Sequence, residues 1–464
     1  MNRKAMKPGL SWLLASTAML IGAGAAGAQP PLTLADALRR ADEAAYANRI
    51  GDAQARAQSA QSLGALRGIL PTARLEAGWV RTTDPTGAFG TTLRQRTITQ
   101  ADFDPARLNH PSPIGNYAAA LVLEQPLFNA DAYLGRSAAA RAGAAAEATA
   151  EWTRATTRLD VVRAYYGAVL AAERVSTLQS AANAAAAHVR QAQALLTSGT
   201  ATRSDVLLAR VKAGEVETQL ISARGDVSIA RRELALLLGA PADTTIAVPA
   251  RLPETTTVRQ LLAEELSADP AQRSDVRAAQ HGLSAAQSDV ARARSLFVPR
   301  INAFARLEWN SAAHLYGGEE NWTAGVMASW TPFAGASQIT EMRAASGRED
   351  AARAGAEAAT ARARLEVERA ETARAVALAR LDIAESAIGQ SVEAHRIVAR
   401  KYDGGLATVT ELLAAAAIET QSGLGVAMAV YEAIVAEAQR RQARGLDLRT
   451  LDVLDTEKPK TDRS

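Results

Sequence analysis

The sequence contains one unit twice. Pro126 and Gly199 lie 73 positions apart, and so do Pro332 and Gly405. Each proline opens an alanine-rich stretch, Leu123-Glu-Gln-Pro126-Leu-Phe128 in the first copy and Ser329-Trp-Thr-Pro332-Phe333 in the second. Each glycine closes one, at Ser198-Gly199-Thr200 and at Asp403-Gly404-Gly405. The match continues beyond the glycines, where Gly199-Thr-Ala-Thr202-Arg-Ser-Asp205-Val-Leu207 lies opposite Gly405-Leu-Ala-Thr408-Val-Thr-Glu411-Leu-Leu413. Upstream, Ile69-Leu-Pro71 with Trp79 resembles Phe297-Val-Pro299 with Trp309, but the offset there is 228 instead of 206. The first copy therefore carries about 22 more residues between its prolines, which a loop must absorb. Unrelated alanine-rich helices share composition but not an identical proline-to-glycine spacing, so the chain is read as two repeats.

Each repeat has the same internal order. A helix comes first, over about 33–68 and 257–296, and Thr33 three positions before Asp36 has the form of a capping box. A proline ends that helix, because it lacks the amide and clashes one turn back. Two strands follow, about 72–81 and 116–125 in the first copy and 300–309 and 322–331 in the second. The turn regions between them, 82–115 and 310–320, are expected to face outward. The second proline then precedes a helix of about 65–70 residues, which at ~1.5 Å per residue reaches ~100 Å. A glycine turn reverses it into a return helix, and Leu236-Leu-Leu-Gly239-Ala-Pro241 is a helix stop. The hairpins cover about 131–239 and 335–446. The organisation expected is a signal peptide at 1–28, a first repeat at 29–240, a linker at 241–256, a second repeat at 257–446 and a polar C-terminal tail at 447–464.

Helices this long have no globular core of their own. Apolar or alanine positions at 178, 182, 185, 189, 192 and 196 form a coiled-coil seam, continued upstream by Leu159, Val162, Tyr166 and Val169. Alanine lets helices approach closely but buries little area, and at roughly 25 cal/mol per Å² one such hairpin is weak alone. Several side by side bury far more. The strands point the same way. In Ile301–Trp309 one face carries Ile301, Ala303, Ala305, Leu307 and Trp309, and in Trp322–Trp330 one face carries Trp322, Ala324, Val326, Ala328 and Trp330. Strands of this length, with an apolar face and aromatics at the ends, suit an outer-membrane barrel, with Trp79, Trp309, Trp322 and Trp330 as interface aromatics. A soluble β-sandwich edge satisfies the same periodicity. Four strands cannot close a barrel, and open edges are not tolerated in lipid, so several chains must share one wall; three would supply twelve strands.

The first residues place the chain outside the cytoplasm. Arg3, Lys4 and Lys7, an apolar stretch from Leu10 to about Ile21, and Ala26-Gly27-Ala28 before Gln29 have the form of a secretory signal. Those 28 residues carry three positive charges and no acid, so the remainder of a chain of net charge +3 is neutral, which gives no support to nucleic-acid binding. No other stretch reads as a transmembrane helix. There is no cysteine, so neither a disulfide nor a lipid-modified cysteine can form. His110, His188, His281, His314 and His395 are scattered without ligand spacing, and neither a phosphate-binding glycine loop nor a nucleophile elbow occurs. No enzyme chemistry, metal or cofactor is expected.

The order of signal, helix, proline, strand pair, Pro-Leu-Phe, long helix, glycine tip and return helix, repeated once, resembles the TolC-like outer-membrane efflux proteins. Arg158-Leu-Asp-Val-Val-Arg-Ala-Tyr165 and Ala230-Arg-Arg-Glu-Leu-Ala-Leu-Leu-Leu-Gly239 add local matches. The resemblance implies a mainly α fold with a membrane β-barrel: a homotrimer whose twelve-stranded barrel sits on a twelve-helix periplasmic tunnel, in the outer membrane of a Gram-negative bacterium. It implies a passive exit duct for efflux or type I secretion, working with a periplasmic adaptor protein and an inner-membrane pump of RND, ABC or MFS type. Two rivals remain at this point. A periplasmic adaptor carries one hairpin inserted in a β-rich body, and a structural coiled-coil protein needs no proline-bounded strands ending in Trp.

The resemblance also implies a constriction near the hairpin tips, where Gly199, Thr200, Gly404 and Gly405 form the turns that meet the adaptor. Asp205 and Glu411 hold equivalent places six residues after the aligned glycines. Three copies of Glu411 would form a ring that attracts cations. Thr202 with Asp205 and Thr408 with Glu411 equally fit capping boxes. Tyr402 matches a family tyrosine that links neighbouring hairpins, toward Asp205 here, or is an ordinary packing aromatic. Ala407 and Ala414 stand where the family has an arginine and a second lumen acid, which implies a gate with fewer polar links.

Overall fold

The computed structural model describes residues 31–455 apart from 242 and 316, so the expected signal at 1–28 lies outside the described residues. The first expected rod, 33–68, is two helices, α1 (Leu34–Ala44) and α2 (Tyr46–Gly64), with a 3-10 turn at Ala65–Gly68. Thr33 caps α1 by accepting from the Asp36 amide at 3.1 Å. The break falls at Ala45, which is extended (ψ 133°), where a distant residue packs against it. Gly239, with φ +72°, packs so closely on the end of α1 that a Cβ there would stand 2.2 Å from the Ala44 carbonyl oxygen.

β1 (Thr72–Thr82) follows, then α3 (Pro85–Arg94) and α4 (Pro105–Asn109) within the extra residues of the first copy, then β2 (Ile114–Phe128). Pro126 lies inside β2, beside a register shift between Pro126 and Phe128, as befits a residue with no amide to donate. The first hairpin is α5 (Ala130–Thr197) and α6 (Arg203–Leu237). The second copy begins with α7 (Thr255–Ala263) and α8 (Ser274–Ser295), again two helices where 257–296 was expected as one. Pro270 accounts for the interruption: it opens a 3-10 turn at Pro270–Gln272, and Asp269 before it is extended. β3 (Arg300–Ser311) and β4 (Glu319–Ser329) lead to α9 (Ser337–Asp403) and α10 (Val409–Ala443). The 68 and 67 residues of α5 and α9 reach ~100 Å each.

The strands form one antiparallel sheet in the order β1-β2-β3-β4. Leu75, Leu121, Leu307 and Trp322 lie opposite one another on one face, and Glu76, Ala120, Glu308 and Asn321 share the next row on the other. The alternation read from β3 and β4 thus extends across all four strands.

The helices pack through two kinds of core. Near the middle of α5, Leu159, Val162, Tyr165, Tyr166 and Val169 meet Leu34 and Leu38 of α1, Leu234 of α6, Leu262 of α7, Leu381 of α9 and Ile434 of α10. Away from this belt the contact thins to a seam: Leu178, Ala185 and Ala192 of α5 and Ala356, Ala363 and Ala370 of α9 are buried at seven-residue spacing. Three expectations change. The tail at 447–464 is not simply polar, since Leu448–Asp455 is a 3-10 helix whose Leu448, Leu451 and Leu454, one per turn, are buried in the main core. The linker region 241–256 is packed, with Ile246 and Val248 buried and the Leu32 amide donating to the Ala247 carbonyl at 2.8 Å. By length and composition α10 is apolar enough to cross a membrane. Only 22 % of its apolar window is buried within the chain, and the buried alanines cluster in its C-terminal half, from Ala427 to Ala443.

Candidate gate at the hairpin tips

Both hairpins turn by the same local chemistry. Gly199 (φ +81°) and Gly405 (φ +71°) hold the left-handed conformation that ends a helix without cost only for glycine. The Gly199 amide donates to Leu196 O and the Thr200 amide to Leu195 O at 3.0 and 2.9 Å; the Gly405 and Leu406 amides donate to Tyr402 O and Lys401 O at 3.1 and 2.8 Å. Both are Schellman turns. Gly404 has an ordinary φ of −85°. The tip turns at Gly199, Thr200, Gly404 and Gly405 are exposed, and Leu406 among them is 82 % exposed.

The return helices begin on reciprocal caps. Asp205 accepts from the Thr202 amide at 2.8 Å while its own amide donates to Thr202 Oγ1 at 3.3 Å. Glu411 accepts from the Thr408 amide at 2.7 Å, and its amide donates to Thr408 Oγ1 at 3.3 Å. The backbone N–H donors of Thr202 and Thr408 hold both carboxyls below their ordinary pKa values, with the field of Lys401 adding at Glu411. Both acids are therefore caps. Glu411 accepts these bonds through Oε2 and is exposed.

Tyr402 is buried in a tip core with Ala192 of α5, Val206 and Ala209 of α6, and Val409, Leu412 and Leu413 of α10. Its hydroxyl has no hydrogen-bond partner, so the Tyr402–Asp205 link does not form within one chain. Burial first, then the nearby charges of Asp205 and Asp403, raise the Tyr402 pKa.

The fold also joins two histidines that the sequence reading left scattered. His188 of α5 and His395 of α9 lie edge to face, and His395 Nδ1 bonds Glu419 of α10. The repeat offset of 206 places residue 188 one position from 395, a signal that was available in the alignment of the copies. Among the described residues no group of three or more His, Asp or Glu is arranged to hold a metal ion.

At the far end of the molecule, Trp79 and Tyr117 are cross-strand partners on the apolar face with ring centroids 6.3 Å apart. Trp79, Trp309 and Trp322 lie toward the loop end of the sheet; Trp330 lies at the helix end with the exposed Phe128, Phe297 and Phe333. Trp322 and Trp330 are 76 % and 62 % exposed, so neither is the core residue of a sandwich.

Comparison with known proteins agrees with this geometry. The profile of the family described as outer membrane efflux protein matches residues 91–240 and 267–446. The alkaline protease secretion protein AprF of Pseudomonas aeruginosa is 28 % identical over 217 residues, which are 45 % of this chain and 43 % of that protein, so the match spans less than half of that relative. The CmeC outer membrane channel of Campylobacter jejuni superposes with a TM-score of 0.75 at 17 % identity, covering 89 % of this chain and 85 % of the other. The outer membrane protein VceC of Vibrio cholerae gives 0.74 at 20 % identity, covering 89 % and 96 %. At such identities the superpositions speak to fold.

Proposed function

Because this chain belongs to the outer membrane efflux protein family, we propose that three copies form one passive duct from the periplasm across the outer membrane. The observation that carries this reading is the sheet. Its four strands present one apolar and one polar face in register, and both β1 and β4 are open edges. An open edge against lipid leaves backbone groups unpaired at several kcal/mol each. Pairing β4 of one copy with β1 of the next removes every edge, and three copies make a twelve-stranded barrel with its polar face inward. The aromatic residues at both ends of the apolar face are the interfacial girdles such a barrel uses.

The helices support the same closure. Along α6, Leu207, Val211, Ile221 and Ile229 are exposed, and along α9, Val376, Ile383 and Ile397 are exposed at multiples of seven residues. Two different apolar stripes on one chain suit a head-to-tail contact, which closes into a ring. In the ring the tips narrow the periplasmic end. Glu411 keeps its cap through Oε2 and presents its charge to the lumen, and Asp205 keeps the equivalent cap through Oδ2. Tyr402 holds the two tips of one chain together by packing. The turns at Gly199, Thr200, Gly404 and Gly405 are the surface for a periplasmic adaptor protein, behind which an inner-membrane pump of RND, ABC or MFS type supplies the energy. The pump selects the cargo; the relative named for protease secretion extends the range to polypeptides by the type I route.

Fractionation followed by gel electrophoresis with and without boiling tests the proposal. The expected result is a detergent-dependent, heat-modifiable trimer band in the outer-membrane fraction. A monodisperse, fully folded monomer in water without detergent would end it.

A further inference from the structure

The extra residues of the first copy lie at the loop end of the sheet, between β1 and β2. They form an ordered unit: Asp84 caps α3 by accepting from the Gly87 amide at 2.6 Å, Asp104 caps α4 by accepting from the Ala106 amide at 3.0 Å, and Phe89 meets Phe103 edge to face with centroids 5.9 Å apart. This unit is fastened to one side of the sheet. Gln95, buried, donates to the Gly115 carbonyl and to Asn116 Oδ1, both at 2.9 Å. Asn116 donates to Asn310 Oδ1 at 2.7 Å, and Asn310 donates to Glu308 Oε1 at 3.0 Å. On the last strand, Asn321 donates to the Arg94 carbonyl at 3.2 Å, and Arg96 donates to the Glu320 carbonyl at 2.8 Å and pairs with Glu319 at 3.2 Å. Arg96 holds a left-handed φ of +53°, uncommon for a residue with a Cβ, and this turns the chain toward β4.

The side chains of Asn116, Glu308, Asn310, Glu319 and Asn321 all belong to the polar rows of the sheet. A segment that leaves β1 therefore crosses over the polar face and reaches the opposite edge of the same sheet.

We propose that residues 85–110 are an outer sieve: folded over the polar face, three copies narrow the cell-surface mouth and decide which solutes enter from outside. The inference rests on the reading of the polar face as luminal. Arg94, Arg96 and Arg107, whose side chains are each about 60 % exposed, are paired with Glu308, Glu319 and Asp102, so the sieve acts by size. A strap hydrogen-bonded to β2 and β4, with Arg94 paired to Glu308 of β3, is narrower in its effect than a plug, because it blocks by size and leaves the rest of the lumen open.

The absence of native cysteine makes the test direct. Thr323→Cys places one thiol on the polar face at the register of Arg306, and Ala324→Cys places one on the apolar face beside it. Intact cells are treated with a small, water-borne maleimide and with a bulky polymer-linked one. With the insert present, the small reagent labels Thr323→Cys and the bulky one does not. Replacing residues 86–110 by a short Gly-Ser turn, or releasing the anchors with Gln95→Ala and Arg96→Ala, raises bulky labelling to the level of the small reagent. The anchor variant keeps the test alive where the excision fails to assemble. Equal exclusion of the bulky reagent with and without the insert would overturn the sieve, as would a small reagent that never reaches Thr323→Cys. Labelling of Ala324→Cys as fast as Thr323→Cys would instead overturn the barrel reading beneath it.

Discussion

His188 and His395 meet edge to face with 5.8 Å between ring centroids and 72° between ring planes, one from each long helix. His395 is tied to Glu419, and Gln191 beside His188 bonds Asp403, so the contact joins α5, α9 and α10 just above the tips. Burial is the largest influence on His188 and pushes its pKa below the ordinary 6.5, against the opposing pull of Gln191 and Asp403. The unfolded chain therefore takes up a proton that the folded chain refuses. The stability this group contributes is complete above its unfolded pKa of about 6.5 and is lost as pH falls toward the folded value. Protection against hydrogen exchange in α5 and α9 near the tips, taken relative to the intrinsic rate at each pH, is expected to fall on going from about pH 7.5 to about pH 5. His188→Phe keeps an aromatic edge and removes the proton, so that loss of protection disappears. An unchanged pH dependence in that variant would assign it to other groups.

Tyr402 is a packing residue whose hydroxyl costs more than it returns within one chain. Tyr402→Phe removes a buried unpartnered hydroxyl and is expected to raise stability slightly, by up to about 1 kcal/mol. Tyr402→Ala opens the tip core and costs roughly 3 kcal/mol. Thermal denaturation of the detergent-solubilised trimer measures both. A loss of stability in Tyr402→Phe would show that a neighbouring copy satisfies the hydroxyl, and would restore the inter-hairpin link that the resemblance implied.

The parts of the fold that follow from local periodicity were readable in advance. The strands at 72–82, 114–128, 300–311 and 319–329, the hairpins and the capping boxes at Thr202 and Thr408 all lie close to where spacing puts them. What escaped depends on distant chain. Gly239 packs on the Ala44 carbonyl beside the break at Ala45, His188 meets His395 where α5 and α9 pack, and the insert lies across the sheet because Gln95 and Arg96 find partners on β2 and β4. At the tips the sequence left cap and lumen roles open for both acids. The structure assigns the caps, and the lumen role of Glu411 waits on charge selectivity.

Glu411→Gln separates those two roles. A glutamine at the third helical position still accepts from the Thr408 amide, so the cap survives while the charge is gone. Single-channel recordings in planar bilayers are expected to show reduced preference for cations, with an unchanged melting temperature. Thr408→Ala does the converse, costing about 1 kcal/mol through the lost cap while leaving the charge in place. An ion preference that survives Glu411→Gln would remove this residue from the lumen.

The stretch Leu448–Asp455, taken from the sequence as part of a polar tail, closes the main core. Leu448, Leu451 and Leu454 follow one another at three-residue spacing, which on a 3-10 turn aligns them in a single stripe, while the exposed Arg449 pairs with the half-buried Asp447, which also meets Arg158 of α5. Leu451 is fully buried in the same cluster as Leu34 and Leu38 of α1. Truncating it to alanine removes three buried carbon atoms and leaves a void between α1 and the helical belt, at a cost of about 3 kcal/mol. Arg449→Ala removes only the exposed arginine of this pair and is expected to be close to neutral. Thermal melts of the two variants should therefore differ by several degrees, and protease cleavage near α1 should accelerate in Leu451→Ala alone. Equal melting temperatures would mean that this segment packs on the belt without supporting it.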